Sequence, residues 1–530
     1  MTITAASSAD PSRTATLTVT VTAGRPPNSL LLGQFVILLT ARNSNNGPYA
    51  LGGVISGDGL GNITGGSLDL ADASGNASTS VPLFPTSNYS IGPDGRGQMQ
   101  LFINTVALSS SFGVNGSGAI TLAVVFASSQ HALLTETDSF GTAEGTLDLQ
   151  NVTDLASFQQ GGWVNGTYAL QLKGTELASP HPGYFVAGAL TIDFTAGSYT
   201  YVADQSDNGI VTSIPAASAS PNLAATREGI TGKLTFSPVN LGLPTLFSLD
   251  VWLIDATHFV VTDWRDSAFG TPPVIVGGYL TAQPSSSSLS GTYAFAETGA
   301  DAAGQPQVAG GIMTCGSAGT IDIVPLAGTV HSNQPITANC SAPGAGRSVI
   351  TISGTGTAGI AQFAAYPTVD QGLYLVELDG GSSGTAGPSG AGVALQQTLA
   401  TPITAPALSG AYALSFTATT ALGSEMFAGQ VVSDGAATLS GTVDVASFDS
   451  SNVPPETSSA GSTLVGSYSS ADSGRFPLAL ALTPASGQPA PQITNLNTAC
   501  YIVDANTCLL LGLDAGAPAT GVLLRQNTGL

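Results

Sequence analysis

Along this chain apolar and polar positions alternate with a period of two over short runs. In "RFPLALAL" at 475–482, Phe476, Leu478, Leu480 and Leu482 share one face and small residues take the other. Strict alternation is the signature of a half-buried strand. Turn signals such as "PDG", "GDG" and "SDG" separate the runs, about 8–12 residues apart, as in sandwiches and barrels. No segment holds a convincing 3.6-residue period, so the pattern predicts an all-β protein.

The runs recur in order. "LLLGQFVILL" at 30–39, "WVNGTYALQL" at 163–172, "SLSGTYAFAE" at 288–297 and "ALSGAYALSF" at 407–416 each set a glycine two residues before an aromatic. Those glycines, Gly33, Gly166, Gly291 and Gly410, are spaced by 133, 125 and 119 residues. Regular self-similarity of this kind marks a repeated structural unit. The boundaries are a strand pair at 1–24 and four modules at 28–152, 163–283, 288–398 and 407–530. Polar or proline-bearing linkers, "TDLASFQQGG", "TAQPSSSS" and "TLATPITAP", fill the gaps. About 120 residues with some eight strands in sequence suits an antiparallel up-and-down barrel, of avidin or lipocalin type, whose closure removes exposed edges. A two-sheet β-sandwich is the alternative.

Inside each module a glycine precedes a cation at the start of one strand: Arg96, Lys233, Arg347 and Arg475. Seven residues before it stand Tyr89 in the first module and Tyr468 in the fourth, with Cys340 at that place in the third. The third residue after the cation is Met99, Phe236, Ile350 or Leu478, so the cation itself falls on the opposite face from the apolar stripe. The expected role of these residues is structural. The arginine would pair with an acid in its own turn, Asp94 or Asp472, in an exposed contact contributing about 0–1 kcal/mol. Tyr89 and Tyr468 read as core or rim aromatics.

Composition narrows the function. Hydrophobic residues make up 43% and charged residues 8%, the reverse of a disordered chain. Eleven basic residues against 33 acidic ones, with a net charge of −22, leave no stripe to neutralise phosphates, so the charge disfavours nucleic acid and anionic membrane surfaces as partners. No run of about 18 apolar residues predicts a transmembrane helix. Four cysteines fall as two close pairs, Cys315 with Cys340 and Cys500 with Cys508, outside any zinc-ligand spacing. Read as disulfides, they imply an extracytoplasmic location. The chain begins at once on strand-like alternation, so the expectation is that an export signal lies upstream.

The order "GTYAF … AG … GNITGG … GRG" resembles long repeat-bearing surface proteins of soil bacteria, acidobacteria especially. "ITAASSADPSRTATLTVTVT" resembles the last strands of a bacterial Ig-like domain. The resemblance implies export and says little of activity.

Candidate chemistry is sparse. Asp58 and Asn62 in "GDGLGNITGG" lack the six or more oxygens of a calcium site and read as a hairpin turn. His131 and His258 share a place before an apolar triplet, with Gly372 and Cys508 there in the other copies, and read as polar strand starts. Glu136, Asp263 and Glu377 follow that triplet and read as solvent-facing strand acids. No nucleophile motif, metal or cofactor is called, and the chain is not expected to be an enzyme. The reading is an exported surface protein for adhesion or spacing, a string of modules open to self-association. The alternative is glycan or small-ligand binding by one barrel, with Trp163, Trp252 and Trp264 of the second module as the platform.

Overall fold

In a computed structural model, residues 2–6, 14–18, 26–43, 47–72, 77–104, 118–138, 141–161, 165–177, 183–220, 225–239, 247–263, 274–285, 289–354, 359–380, 387–449, 456–469 and 473–529 are described. The fold is nearly all-β, as expected. Strands Thr2–Ala6 and Thr14–Thr18 form a separate antiparallel pair.

The third module is a closed barrel of eight strands in simple up-and-down order. They are Thr292–Ala300, Pro306–Thr314, Ser317–Pro325, His331–Cys340, Ser348–Ser353, Gln362–Pro367, Gly372–Glu377 and Ser389–Gln396. The fourth module closes the same way through Ser409–Thr419, Gly423–Asp434, Thr438–Asp449, Glu456–Tyr468, Arg475–Thr483, Asn495–Ile502, Thr507–Gly512 and Ala519–Arg525. In both, the fourth strand pairs with the third along nearly its whole length and with the fifth only along its last part.

The first two modules keep this order but break the fourth strand. In module 1 the strands are Leu32–Asn43, Pro48–Asp58, Ile63–Asp72, then Ala77–Pro82 and Asn88–Ile91 as two pieces of the fourth, then Arg96–Phe102, Ala119–Phe126, His131–Glu136 and Gly141–Leu149. The first piece pairs with the third strand and the second with the fifth. Two isolated bridges, Leu83 to Ile103 and Asn62 to Asn88, tie the pieces across the break. Pro82 and Pro85 lie there, and proline donates no ladder hydrogen bond. Module 2 runs Gly166–Glu176, Gly183–Asp193, Ser198–Asp207, Ile210–Ser220 with Ala225–Glu228, Lys233–Val239, Phe247–Leu253, His258–Asp263 and Val274–Ala282. Its fourth strand is split in the same place.

Alternate side chains fill each barrel. Met99 and Leu101, Phe236, Ile350 and Ile352, and Leu478 and Leu480 all lie in the cores of their own modules. The linkers contribute too. "TDLASFQQGG" contains a helix, Val152–Gln159, where the alternation had suggested only a polar connection. Asn151 caps it by accepting from the backbone of Thr153 and Asp154, and Leu155 and Phe158 enter the second core. Two buried apolar residues in two turns are too few for a period to show.

The modules do not form an extended string. Strands one to three of each module pack against strands six to eight of the next. Val36, Leu38 and Val54 meet Trp252 and Val260. Phe185 and Ala187 meet Tyr366 and Val376, and Ala294 and Val308 meet Tyr501 and Leu511. The same contact then joins the fourth module to the first, where Ala413 and Ala428 meet Val125 and Leu133. Ser128 and Asn527 are bridged as β partners across this last junction. Four like junctions in a cycle make a closed ring.

Candidate functional site

The repeated cation holds the ring. Gly95, Gly232, Gly346 and Gly474 precede it with φ of +78°, +72°, +81° and +89°, a left-handed turn that glycine adopts without a Cβ clash. The turn starts the fifth strand with the cation facing outward, toward the preceding module. There an aspartate waits on the third strand: Asp69, Asp204, Asp322 and Asp444, one per module. Each lies opposite a small residue of the second strand, respectively Gly52, Ala187, Gly310 and Ala428.

The four latches differ in quality. Arg475 grips Asp322 with both arms at 2.7 Å, while Tyr501 Oη donates to the same carboxylate at 2.5 Å. Arg347 grips Asp204 at 2.5 and 2.9 Å, with Tyr366 as the phenol. Burial opposes ionisation of Asp322, but the guanidinium, Tyr501 and Ser332 outweigh it and hold its pKa below the usual value. At the first junction Lys233 Nζ bridges Asp69 at 2.5 Å and Asp250, of its own module, at 3.1 Å. Burial, together with the neighbouring Asp69, pushes Asp250 up to about 9. Trp252 replaces the tyrosine and lies beneath the ammonium. A Cβ on Gly52 would stand 2.6 Å from the Trp252 ring. At the closing junction Arg96 holds Asp94 of its own turn at 2.9 Å and Asp444 only at 3.5 Å.

Three expectations are corrected here. The arginines of modules 3 and 4 do not make exposed pairs within their own turns; only Arg96 pairs so, with Asp94, and Asp472 lies outside the described residues. Trp252 is 1% exposed inside a junction and offers no platform, while Trp163 and Trp264 lie outside the described residues. Glu136 and Glu377 do not face solvent. They continue the inward series Ala132–Leu134 and Leu373–Leu375 into the barrel ends. Glu136 accepts from Tyr49 Oη, and burial with the nearby Glu297 raises Glu377 well above the usual carboxylate range. The side chain of Asp263 is outside the described set.

Tyr89 and Tyr468 are buried, each bonding with its hydroxyl to the segment that leads into its own module, Leu31 O at 3.0 Å and Leu408 O at 3.1 Å. Asp58 caps its turn by accepting from the backbone of Leu60, Gly61 and Asn62. The Asn62 side-chain amide, bonded to Oδ2 at 2.6 Å, leads these backbone bonds in lowering its pKa to about 2. Both cysteine pairs are disulfides, with Cα separations of 5.3 Å for Cys315–Cys340 and 5.8 Å for Cys500–Cys508.

The histidines had read as strand starts, and His131 and His258 do begin their strands, but both also line one cavity of about 540 Å³ where modules 1, 2 and 3 meet. His131 Nδ1 bonds Asp148 at 2.6 Å. His258 bonds Asp255 through Nδ1 at 3.0 Å and Asp370 of module 3 through Nε2 at 2.7 Å. The Asp370 bond leads the causes that raise His258 to about 9. Burial works against charge on His131, yet Asp148 carries its pKa above the ordinary value. Tyr279 and Tyr374 reach the same space, tied to Thr146 at 3.0 Å and Thr281 at 2.8 Å. No cluster of metal-ligating side chains occurs among the described residues. The signal for this cavity was the shared histidine position itself. Its meaning depends on Asp370, 112 residues away in another module.

Fold and site together define a ring of four latched β modules, of which the third and fourth are closed barrels and the first two open nine-stranded sheets. No family model matches the chain, nor does any curated protein. Among solved structures it is similar to two variants of transferrin binding protein B from Haemophilus parasuis, described as a vaccine antigen. These are 9% and 10% identical, cover 74% of this chain and 82% of theirs, and have TM-scores of 0.18 and 0.19. A protein of unknown function from Nostoc punctiforme, of the DUF3598 family, is 12% identical. That match covers 49% of this chain and all of that one, with a TM-score of 0.15.

Proposed function

We propose that the chain is an exported, cell-surface or secreted interaction protein whose ring is a rigid platform. The supporting observation is that the interior of module 2 leaves no room for a ligand. In module 2 the space among Leu170, Tyr199, Phe236 and Val261 is about 20 Å³, room for roughly one water and no ligand. Contacts with partners then fall to the loops and to the surfaces between modules. The two cystines support an oxidising compartment. A head-to-tail interface that closes leaves no equivalent face free for an open filament. The ring thus favours a discrete particle over a self-assembling layer, and a presenting platform over an extended spacer.

Protease shaving and antibody labelling of intact cells test the location. Release of ring fragments, or labelling without lysis, is expected. Full protection until lysis, with four free thiols by mass spectrometry, would remove the proposal.

A further inference from the structure

The first junction departs from the other three at several positions at once. Its cation is Lys233, where the other modules carry arginine. Trp252 pairs with that lysine, where Val125 and Tyr501 pair with Arg96 and Arg475. The residue two places after the cation faces Ala123, Ala364 and Ala499 in modules 1, 3 and 4, but Asp250 in module 2. A second acid thus stands beside the cation only where that cation is an amine. Charge balance does not require it, since Asp69 alone matches Lys233. An ammonium can lose a proton and become a nucleophile, whereas a guanidinium stays charged.

The three groups touch and are shut off from water. Lys233, Asp69 and Asp250 are 4%, 6% and 0% exposed. Nζ lies 2.5 Å from Asp69 Oδ2 and 3.1 Å from Asp250 Oδ2, with the Trp252 ring centre at 5.7 Å. Glu228, half-exposed, is farther away at 3.9 Å. The Ser80 N–H and the Thr235 hydroxyl hold the Oδ1 atoms of Asp69 and Asp250. Asp250 Oδ2 has no hydrogen-bond partner among the described residues, so a proton there is free to move. Groups held in contact in a closed site react as if highly concentrated.

We propose that Lys233 Nζ and Asp69 Cγ condense to an isopeptide bond, with Asp250 as proton shuttle, so that modules 1 and 2 become covalently joined. The step balances without a cofactor. Burial opposes charge on Lys233, but Asp250 and Asp69 raise its pKa, so the resting pair is ammonium and carboxylate. The ammonium passes a proton to the Asp69 carboxylate, leaving an amine and a carboxylic acid. The amine lone pair attacks Asp69 Cγ and the C–N bond forms. Asp250, which holds a proton at neutral pH, gives it to the departing hydroxyl and takes one from the nitrogen. One ammonium and one carboxylate become one amide and one water, and Asp250 ends as it began.

The intact mass of the full chain, folded and then reduced and denatured, tests this. It should lie one water below the mass of the sequence. A tryptic digest should join residues 43–96 to 228–265 through Lys233, which trypsin then leaves uncut. Lys233→Arg installs the cation of the other junctions and should restore the full mass. Asp250→Asn keeps the size without an acidic proton, and should slow linkage tenfold or more during refolding from denaturant. The wild-type mass is decisive even if a variant fails to fold. Full sequence mass in the folded wild-type chain, a link from Lys233 to Asp250, a missing water that persists in Lys233→Arg, or an undiminished rate in Asp250→Asn would overturn the proposal. The bond needs only the chain's own groups, so this inference and the export proposal fail independently.

Discussion

The third and closing junctions use the same parts and differ in how far they exclude water. Between modules 3 and 4, Arg475 is 9% exposed and Asp322 not at all, and a phenol completes the carboxylate. Between modules 4 and 1, Arg96 is 21% and Asp444 15% exposed, Val125 stands where Tyr501 does, and Asp94 competes for the guanidinium. Burial raises Asp444, and the Gly461 N–H that it accepts from, with Arg96, only partly offsets this. Breaking a dry, fully bonded latch is costly because a buried partner is left alone. The comparison implies that the ring is tightest along the chain and loosest where it closes.

Substitution of one acid per junction sharpens that contrast most. Asp322→Ala strands Arg475 and Tyr501 and is expected to cost about 3–5 kcal/mol in thermal or denaturant unfolding. The first junction gives an intermediate case. Gly52→Ala drives a methyl into the Trp252 ring and should cost about 1–3 kcal/mol, the range for overpacking. A loss under half a kcal/mol would show that the modules separate easily.

Acid titration separates the junction from the barrel end beside it. Asp322 has a lowered folded pKa, so its contribution is complete above the unfolded value and is lost as pH falls through the folded one. Inside the same module Glu297 is raised to about 8, chiefly by burial and next by Asp379. A raised carboxyl acts oppositely: stability falls as pH rises from about 4.5 to about 8. Glu297→Gln should lessen the fall of stability with pH in that window, where Glu377 and Asp250 also contribute, and leave the acid limb intact. The smallest effect is at the closing junction, where Asp444→Ala is expected to cost about 1 kcal/mol, close to a surface pair. Equal costs for Asp322→Ala and Asp444→Ala would erase the contrast.

Much of the fold was legible because its signals are local. Phe35, Tyr168, Tyr293 and Tyr412 repeat, each two residues after a glycine, and all four begin barrel cores. The Gly–cation pair showed where the fifth strand starts and which way its side chain faces. What it contacts was hidden, because Asp322 lies 153 residues before Arg475 and Asp444 follows Arg96 by several hundred. A signal did exist: "SLDL", "VADQ", "TIDI" and "TVDV" each place an aspartate on the outward face of a third strand among small or apolar neighbours. An outward acid repeated in step with an outward base is the trace of a heterologous contact. Ring closure left no pattern of its own, since the residues that meet across it are those of the other junctions. The helix at 152–159 was missed for a like reason, as its buried residues belong to the core of the next module.

Closure is most directly measured by a cysteine pair across the last junction. The native cysteines are all paired, so Ser128→Cys with Asn527→Cys adds the only two thiols, at positions bridged in the ring. Adjacent bridge partners lie within disulfide reach. Mild oxidation should link them within one chain, giving a faster-migrating species on non-reducing gels and a cross-linked peptide by mass spectrometry. Two thiols that stay free, or that link only between chains, would contradict the ring.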